Sequence, residues 1–334
     1  MSGEATNPDT VACIGVGNVG RSWAVVFARA GRRVLLWDPA PAALAAATAA
    51  IEVSFADLHA AGLLDDPGAS RRLIGVAPSL EAALESAEYV QESAIEVLSV
   101  KQALFARMDA LAPADAVIAS STSAIPGSAF LADIPGRARC LVAHPVNPPH
   151  LIPLVEICPA PWTAPESVAR TRALMEAVGQ APVVLEKEAP GFLLNRLQWA
   201  LLGEAMHLVG EGYCTAEDVD RVLTQGLALR WAFIGPFEVG HLNAAAGLAG
   251  YFGGLAEAMS RVQGSLRTDY PPNEDLVAKL HAEMAARHPV ETLPSRQAWR
   301  DRRIMGLRRH LDDAARQDGQ VRRDRTQRHG RPRP

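Results

Sequence analysis

His144 and Glu156 lie twelve positions apart in a stretch whose composition lets the chain fold back on itself. Two short apolar runs, Cys140-Leu-Val-Ala143 and Pro153-Leu-Val-Glu-Ile-Cys158, flank a turn containing Pro145, Asn147, Pro148 and Pro149. The pattern reads as two strands joined by a stiff return. Such a return can set an imidazole beside a carboxylate, which fixes the ring's tautomer and raises the basicity of its other nitrogen. His144 is therefore a candidate general base, with Glu156 as its orienter. From this segment alone, a buried histidine beside a chance acid is an equal alternative.

A second chemical pattern stands near the N-terminus. Thr10-Val-Ala-Cys-Ile14 reads as a buried strand and runs into Gly15-Val-Gly-Asn-Val-Gly20. A helical stretch follows to Ala30, and Arg33-Val-Leu-Leu-Trp37 is the next strand, with Asp38 at its end, 23 residues after Gly15. A glycine triplet between strand and helix, followed by this acid, is the context of a dinucleotide site. Gly15 permits the tight turn, Gly17 lets a pyrophosphate approach, and Gly20 lets helix and strand pack. The amides of the helix start, with Asn18 and Val19 among them, face the phosphates. Asp38 can accept from both ribose hydroxyls and would repel a 2′-phosphate, so the expected cofactor is NAD.

These groups need elements to hold them. Strands are predicted at Leu73–Val76, Tyr89–Glu92 and Val117–Ser120, with helices over 41–61, 80–86 and 96–111 between them. The alternation predicts an α/β Rossmann-type doubly wound parallel sheet. Ligands bind beyond the carboxyl ends of such strands, where Glu92, Ser123 and His144 fall. After Glu156 the pattern turns mostly helical. A long helix over 193–209 carries Asn195 in its first turn, and Thr215-Ala-Glu-Asp218 reads as a capping box. The expected domains are 1–187, a Rossmann NAD-binding domain; 188–312, an all-α C-terminal substrate and dimerisation domain; and 313–334, a disordered basic tail.

The 334 residues are 49% apolar, enough for two cores, and the formal charge is −4. From Arg316 on, seven arginines face two aspartates, so charge concentrates there without the aromatics of a nucleic-acid arm. The apolar tract over 41–61 is broken by Glu52 and Asp57, so no membrane span is expected. The N-terminus lacks the features of a secretion signal, and the four cysteines are scattered. The expectation is a cytoplasmic protein without disulfides or a metal site. The apolar content of the helical half suggests a homodimer.

With Gly15 to Ala24, Ser120-Ser-Thr-Ser123, Ala143 to Pro149, Ile152 to Glu156, Gly191 to Gln198 and Leu229 to Pro236 assembled, the chain resembles the 3-hydroxyacyl-CoA dehydrogenase superfamily. Within it, the likeness is to the L-gulonate 3-dehydrogenase branch related to lambda-crystallin. The resemblance implies that Ser123 hydrogen-bonds the substrate oxygen, His144 takes its proton, Glu156 holds the imidazole, and Asn195 closes over substrate and nicotinamide. It also implies that Glu96 and Lys101 line the cofactor cleft; a solvated helix face is the alternative.

One departure bears on substrate. The acyl-CoA enzymes carry Asn where Ser121 stands, and lysines after the second strand. Here residues 41–70 hold no lysine or arginine, only Glu52, Asp57, Asp65 and Asp66 among charged groups. That charge would repel CoA phosphates. A small free 3-hydroxy acid is therefore expected, L-gulonate first, with Ser121 as a contact and Arg230 as a carboxylate clamp. Arg230 packed on Trp231 as a structural residue is the alternative. Alternative functions are a 3-hydroxyacyl-CoA dehydrogenase, an L-carnitine dehydrogenase, or an NAD-binding structural protein.

Overall fold

The structure is a computed structural model that describes residues 9–329, with side chains to residue 318. Eight strands form one sheet: β1 (Thr10–Ile14), β2 (Arg33–Trp37), β3 (Ile74–Val76), β4 (Tyr89–Glu92), β5 (Val117–Ser120), β6 (Cys140–Pro145), β7 (Leu154–Pro159) and β8 (Ala181–Val184). Their order is β3-β2-β1-β4-β5-β6-β7-β8, parallel except where β6 meets β7. The strands at the centre are short apolar runs, as a sheet covered on both faces requires. Six helices cover it: α1 (Asn18–Arg29), α2 (Pro41–Ala60), α3 (Pro67–Arg72), α4 (Leu80–Leu84), α5 (Leu98–Leu111) and α6 (Pro165–Ala177). One core joins Trp23, Phe27, Ile51, Phe55 and Met175 on one face; the other joins Leu84, Phe105, Met108 and Phe130.

Three local expectations shift. By length and composition alone α2 could cross a membrane, yet its Ala47, Ile51, Phe55 and Leu58 stripe is buried in the first core. The loop expected at Asp65–Gly68 becomes the start of α3, because Asp66 Oδ1 accepts from the Ala69 amide and Pro67 opens the turn. Helix α5 begins at Leu98, which leaves Glu96 on the preceding loop and free to turn toward Ser123.

Helices continue as α7 (Leu194–Gly210), α8 (Ala216–Val222), α9 (Ala228–Trp231), α10 (Pro236–Leu242), α11 (Gly247–Ser265), α12 (Glu274–Arg287) and α13 (Leu293–His329). The capping box forms: Thr215 Oγ1 accepts from the Asp218 amide and Asp218 Oδ2 from the Thr215 amide, at 3.1 and 3.2 Å. The chain divides into two compact units, one reaching to Asn195 and resuming at Arg300, the other Arg196–Trp299. The expected domain boundary, near 188, lies a few residues before the end of the first unit's opening segment at Asn195. Phe192 is core, and Ile304 and Met305 of α13 return to the first core. The tail expected to be disordered from 313 continues α13 to His329. Arg308–Asp312 and Arg316–Asp313 ion pairs and helix-favouring arginines support that continuation. Residues 330–334 lie outside the described residues.

Candidate active site

The β6–β7 register sets His144 directly opposite Glu156, and cross-strand neighbours lie close enough for their side chains to meet. His144 Nδ1 is 2.8 Å from Glu156 Oε2, with residue exposures of 5% and 1%. The other carboxylate oxygen accepts from the Leu193 and Leu194 amides at 2.7 and 2.9 Å. Burial opposes ionisation of Glu156, but the His144 bond and the two amides outweigh it and hold the carboxyl below the ordinary glutamate value. An ionised Glu156 requires the proton on Nδ1, which leaves Nε2 as the basic nitrogen. Among the described residues Nε2 makes no protein hydrogen bond.

Ser123 sits just beyond β5 and is exposed. Its loop is gripped from two sides. Glu96 Oε1 accepts from the Ser123 and Ala124 amides at 2.9 and 3.2 Å, and from the Thr122 hydroxyl. Asn195 Nδ2 donates to the Ser123 carbonyl at 2.7 Å. Burial raises the Glu96 carboxyl, while Thr122, Lys101 and the amides lower it further, so it stays below the usual value. The Ser123 hydroxyl lies 3.5 Å from Glu96, a long contact that a substrate oxygen can displace.

Two expected contacts are corrected. Lys101 does not face a cleft: it is 1% exposed, pairs with Glu92 at 3.1 Å and Glu96 at 3.5 Å, and supports the loop from behind. Ser121 is spent internally. Its hydroxyl accepts from Trp23 Nε1 at 3.1 Å and Gln91 Nε2 at 2.7 Å, and lies 2.9 Å from Ser93 Oγ. One donor and two lone pairs are thereby filled, leaving nothing for a substrate. Arg230 lies in the Arg196–Trp299 unit, exposed on α9.

The glycine turn fits a dinucleotide. Gly15 has φ 85°, and a Cβ there would lie 2.7 Å from the Ser93 carbonyl carbon; at Gly20 it would lie 1.9 Å from the Gly15 oxygen. A Cβ at Gly17 would meet open space, so a phosphate can reach the backbone there. No side chain caps the first turn of α1, and Gly17 and Asn18 are exposed, with Val19 beside them. Asp38 is half-buried, its oxygens steadied by the Val16 and Ala40 amides at 3.1 and 2.9 Å. Each oxygen keeps a lone pair for a ribose hydroxyl.

Sequence reasoning missed Phe192. Its ring is buried 5.3 Å from the His144 imidazole, and its φ of 54° is the one positive value outside glycine among the described residues. A left-handed residue with a Cβ costs about 1–2 kcal/mol, whereas burying a phenylalanine gains about 1.5–3 kcal/mol. Burial therefore holds the strained turn. Gly191 and Phe192 entered the sequence reading only within a stretch of family likeness, since nothing in the residue order reveals the conformation of Phe192.

Comparison with known proteins agrees with this geometry. The model of the 3-hydroxyacyl-CoA dehydrogenase NAD binding domain matches residues 10–189, and that of the C-terminal domain residues 191–271. A lambda-crystallin homolog of Bos taurus is 44% identical over 308 residues, covering 90% of this chain and 95% of that protein. An L-carnitine dehydrogenase of Streptomyces coelicolor is 40% identical, covering 79% of this chain and 82% of the relative. Among solved structures, an NAD⁺-dependent 5-formyl-3-hydroxy-2-methylpyridine 4-carboxylic acid 5-dehydrogenase has a TM-score of 0.75 at 30% identity, covering 91% and 99% of the two chains. A 3-hydroxyacyl-CoA dehydrogenase of Archaeoglobus fulgidus has a TM-score of 0.63 at 27% identity, covering 82% and 87%. An imidazole held by a buried carboxylate and a glycine turn that fits a dinucleotide are parts an alcohol dehydrogenation can use, and this chain belongs to the 3-hydroxyacyl-CoA dehydrogenase family, NAD-dependent enzymes that act on CH–OH groups.

Proposed function

We propose that the protein oxidises a small free 3-hydroxy acid, with L-gulonate, giving 3-dehydro-L-gulonate, as first candidate. The buried 2.8 Å contact between His144 Nδ1 and Glu156 Oε2 carries the proposal. His144 Nε2 takes the hydroxyl proton, and Glu156 steadies the imidazolium that forms. The Ser123 hydroxyl turns from Glu96 to the substrate oxygen and stabilises its growing charge. Asn195 holds the Ser123 loop through the bond to its carbonyl. Bound NAD⁺ supplies the hydride acceptor. Gly17 and the α1 amides would hold its pyrophosphate, and Asp38 its ribose.

The choice of a free acid rests on the acidic stretch 41–70. The first basic residue after it, Arg71, is engaged by Glu52 and by the Ile74 carbonyl, so it offers little to a CoA phosphate. L-carnitine is the second candidate, since relatives at about 40% identity bear that substrate in their names. Arg230 is the proposed carboxylate clamp for either acid. A homodimer is also proposed: Leu197, Trp199, Leu229, Phe237 and Leu242 leave large apolar side chains exposed on the Arg196–Trp299 unit.

The test is NADH formation with L-gulonate, L-carnitine, 3-hydroxybutyrate and 3-hydroxybutyryl-CoA in parallel. Turnover of a free acid is expected. Turnover of the thioester alone overturns the substrate assignment.

A further inference from the structure

The segment 191–195, which opens α7, meets the His144 ring, the Glu156 carboxylate and the Ser123 backbone. Gly191 and Phe192 both have left-handed backbones, at φ 73° and 54°. Successive turn residues of this kind bring neighbouring amides onto one acceptor. The Leu193 and Leu194 N–H groups do so, reaching Glu156 Oε1 at 2.7 and 2.9 Å. The Phe192 ring is wholly buried and lies 5.3 Å from the imidazole at a 40° tilt. Asn195 Nδ2 closes the segment on the Ser123 carbonyl at 2.7 Å.

We infer that Phe192 is a positioning residue for the His144–Glu156 pair: its ring, buried against the imidazole, pins the left-handed turn that aims the Leu193 and Leu194 amides at Glu156. With Oε1 filled by these amides, Oε2 is the oxygen left for Nδ1. The imidazole then has one docking orientation and one tautomer, and Nε2 points away from the carboxylate. Without the ring, a left-handed non-glycine residue has no reason to persist. The turn relaxes, the amides leave Oε1, and the carboxylate and the imidazole are free to rotate. The functional consequence rests on the proposed base role of His144; the structural content stands apart from it.

The test is nitrogen NMR of protein labelled in its nine histidines, with the His144 signals assigned by their loss in His144→Gln. The unsubstituted protein should show one tautomer, with the proton on Nδ1 and slow to exchange. Phe192→Ala should show both tautomers and exchange faster by about tenfold or more, with unchanged circular dichroism and NAD⁺ binding. Phe192→Gly, which tolerates the positive φ, should fall between the two. A folded Phe192→Ala with a single, slowly exchanging Nδ1 proton overturns the inference. If Phe192→Ala does not fold, Phe192→Gly decides in its place: a single, slowly exchanging Nδ1 proton there, with the ring gone, overturns the inference. Turnover is followed alongside, with kcat expected to fall about tenfold and the KM for NAD⁺ to hold. Absence of turnover in the unsubstituted protein would count against the proposed function, while the tautomer comparison would still decide on Phe192.

Discussion

Lys101 and Glu92 form an ion pair at 3.1 Å inside the protein, neither residue more than 1% exposed. Ser120 donates to the same carboxylate, so one buried cluster ties β4, β5 and α5 together behind the Ser123 loop. Removing one partner of such a pair leaves a buried charge and costs about 3–5 kcal/mol. Lys101→Met should destabilise the protein by that order, and adding Glu92→Leu should recover most of the loss. Urea unfolding measures both; a single variant as stable as the parent would contradict the pair's structural role.

Replacing His144 with Ala should lower turnover by about 10²-fold or more, with NAD⁺ affinity little changed. The imidazole lies away from the glycine turn in sequence and is fixed by Glu156, not by the nucleotide site. Fluorescence titration with NADH beside steady-state rates separates the two quantities. A collapse of cofactor affinity would assign His144 a structural part.

Ser121→Ala leaves Trp23 Nε1 without the acceptor it uses now and Gln91 Nε2 with only its longer bond, 3.4 Å, to the Ala143 carbonyl. An orphaned buried donor costs about 1–3 kcal/mol. The variant should therefore lose stability of that order while its substrate KM stays within about twofold. A large KM rise at unchanged stability would return Ser121 to the substrate.

Asp38 decides the cofactor through charge. Asp38→Ser together with Arg in place of Pro39 should shift the kcat/KM ratio toward NADP⁺ by about tenfold or more. Kinetics with both nucleotides read the ratio, and an unchanged value would mean that Asp38 does not meet the ribose.

His150 supplies a pH dependence. Burial, with Arg29 and Arg21 nearby and Asp301 opposing them, lowers its pKa from 6.5 to about 4. The unfolded chain therefore binds a proton between those values that the folded chain does not. Stability should fall as pH drops from 6.5 toward 4 and level off for this group below that. His150→Leu should flatten that part of the stability–pH curve, as thermal melts across the range would show. An identical slope in parent and variant would remove His150 from the account.

The residue order determined a good deal. Alternating short strands and helices predict the wound sheet because each element must bury one apolar face. The glycine spacing with Asp38 marks the nucleotide turn because only those backbones fit. The proline-rich return places His144 beside Glu156 because cross-strand register is local. Tertiary structure alone decided three other matters. Ser121 meets Trp23 across 98 positions, so its capacity is filled by partners no local pattern reveals. Lys101 is buried because Glu92 and Glu96 converge on it from β4 and the loop beyond. Phe192 keeps a conformation its side chain disfavours because burial of its ring in the second core outweighs the backbone cost. Each depends on groups far apart in the chain competing for one space, and that competition is settled only when the sheet has formed.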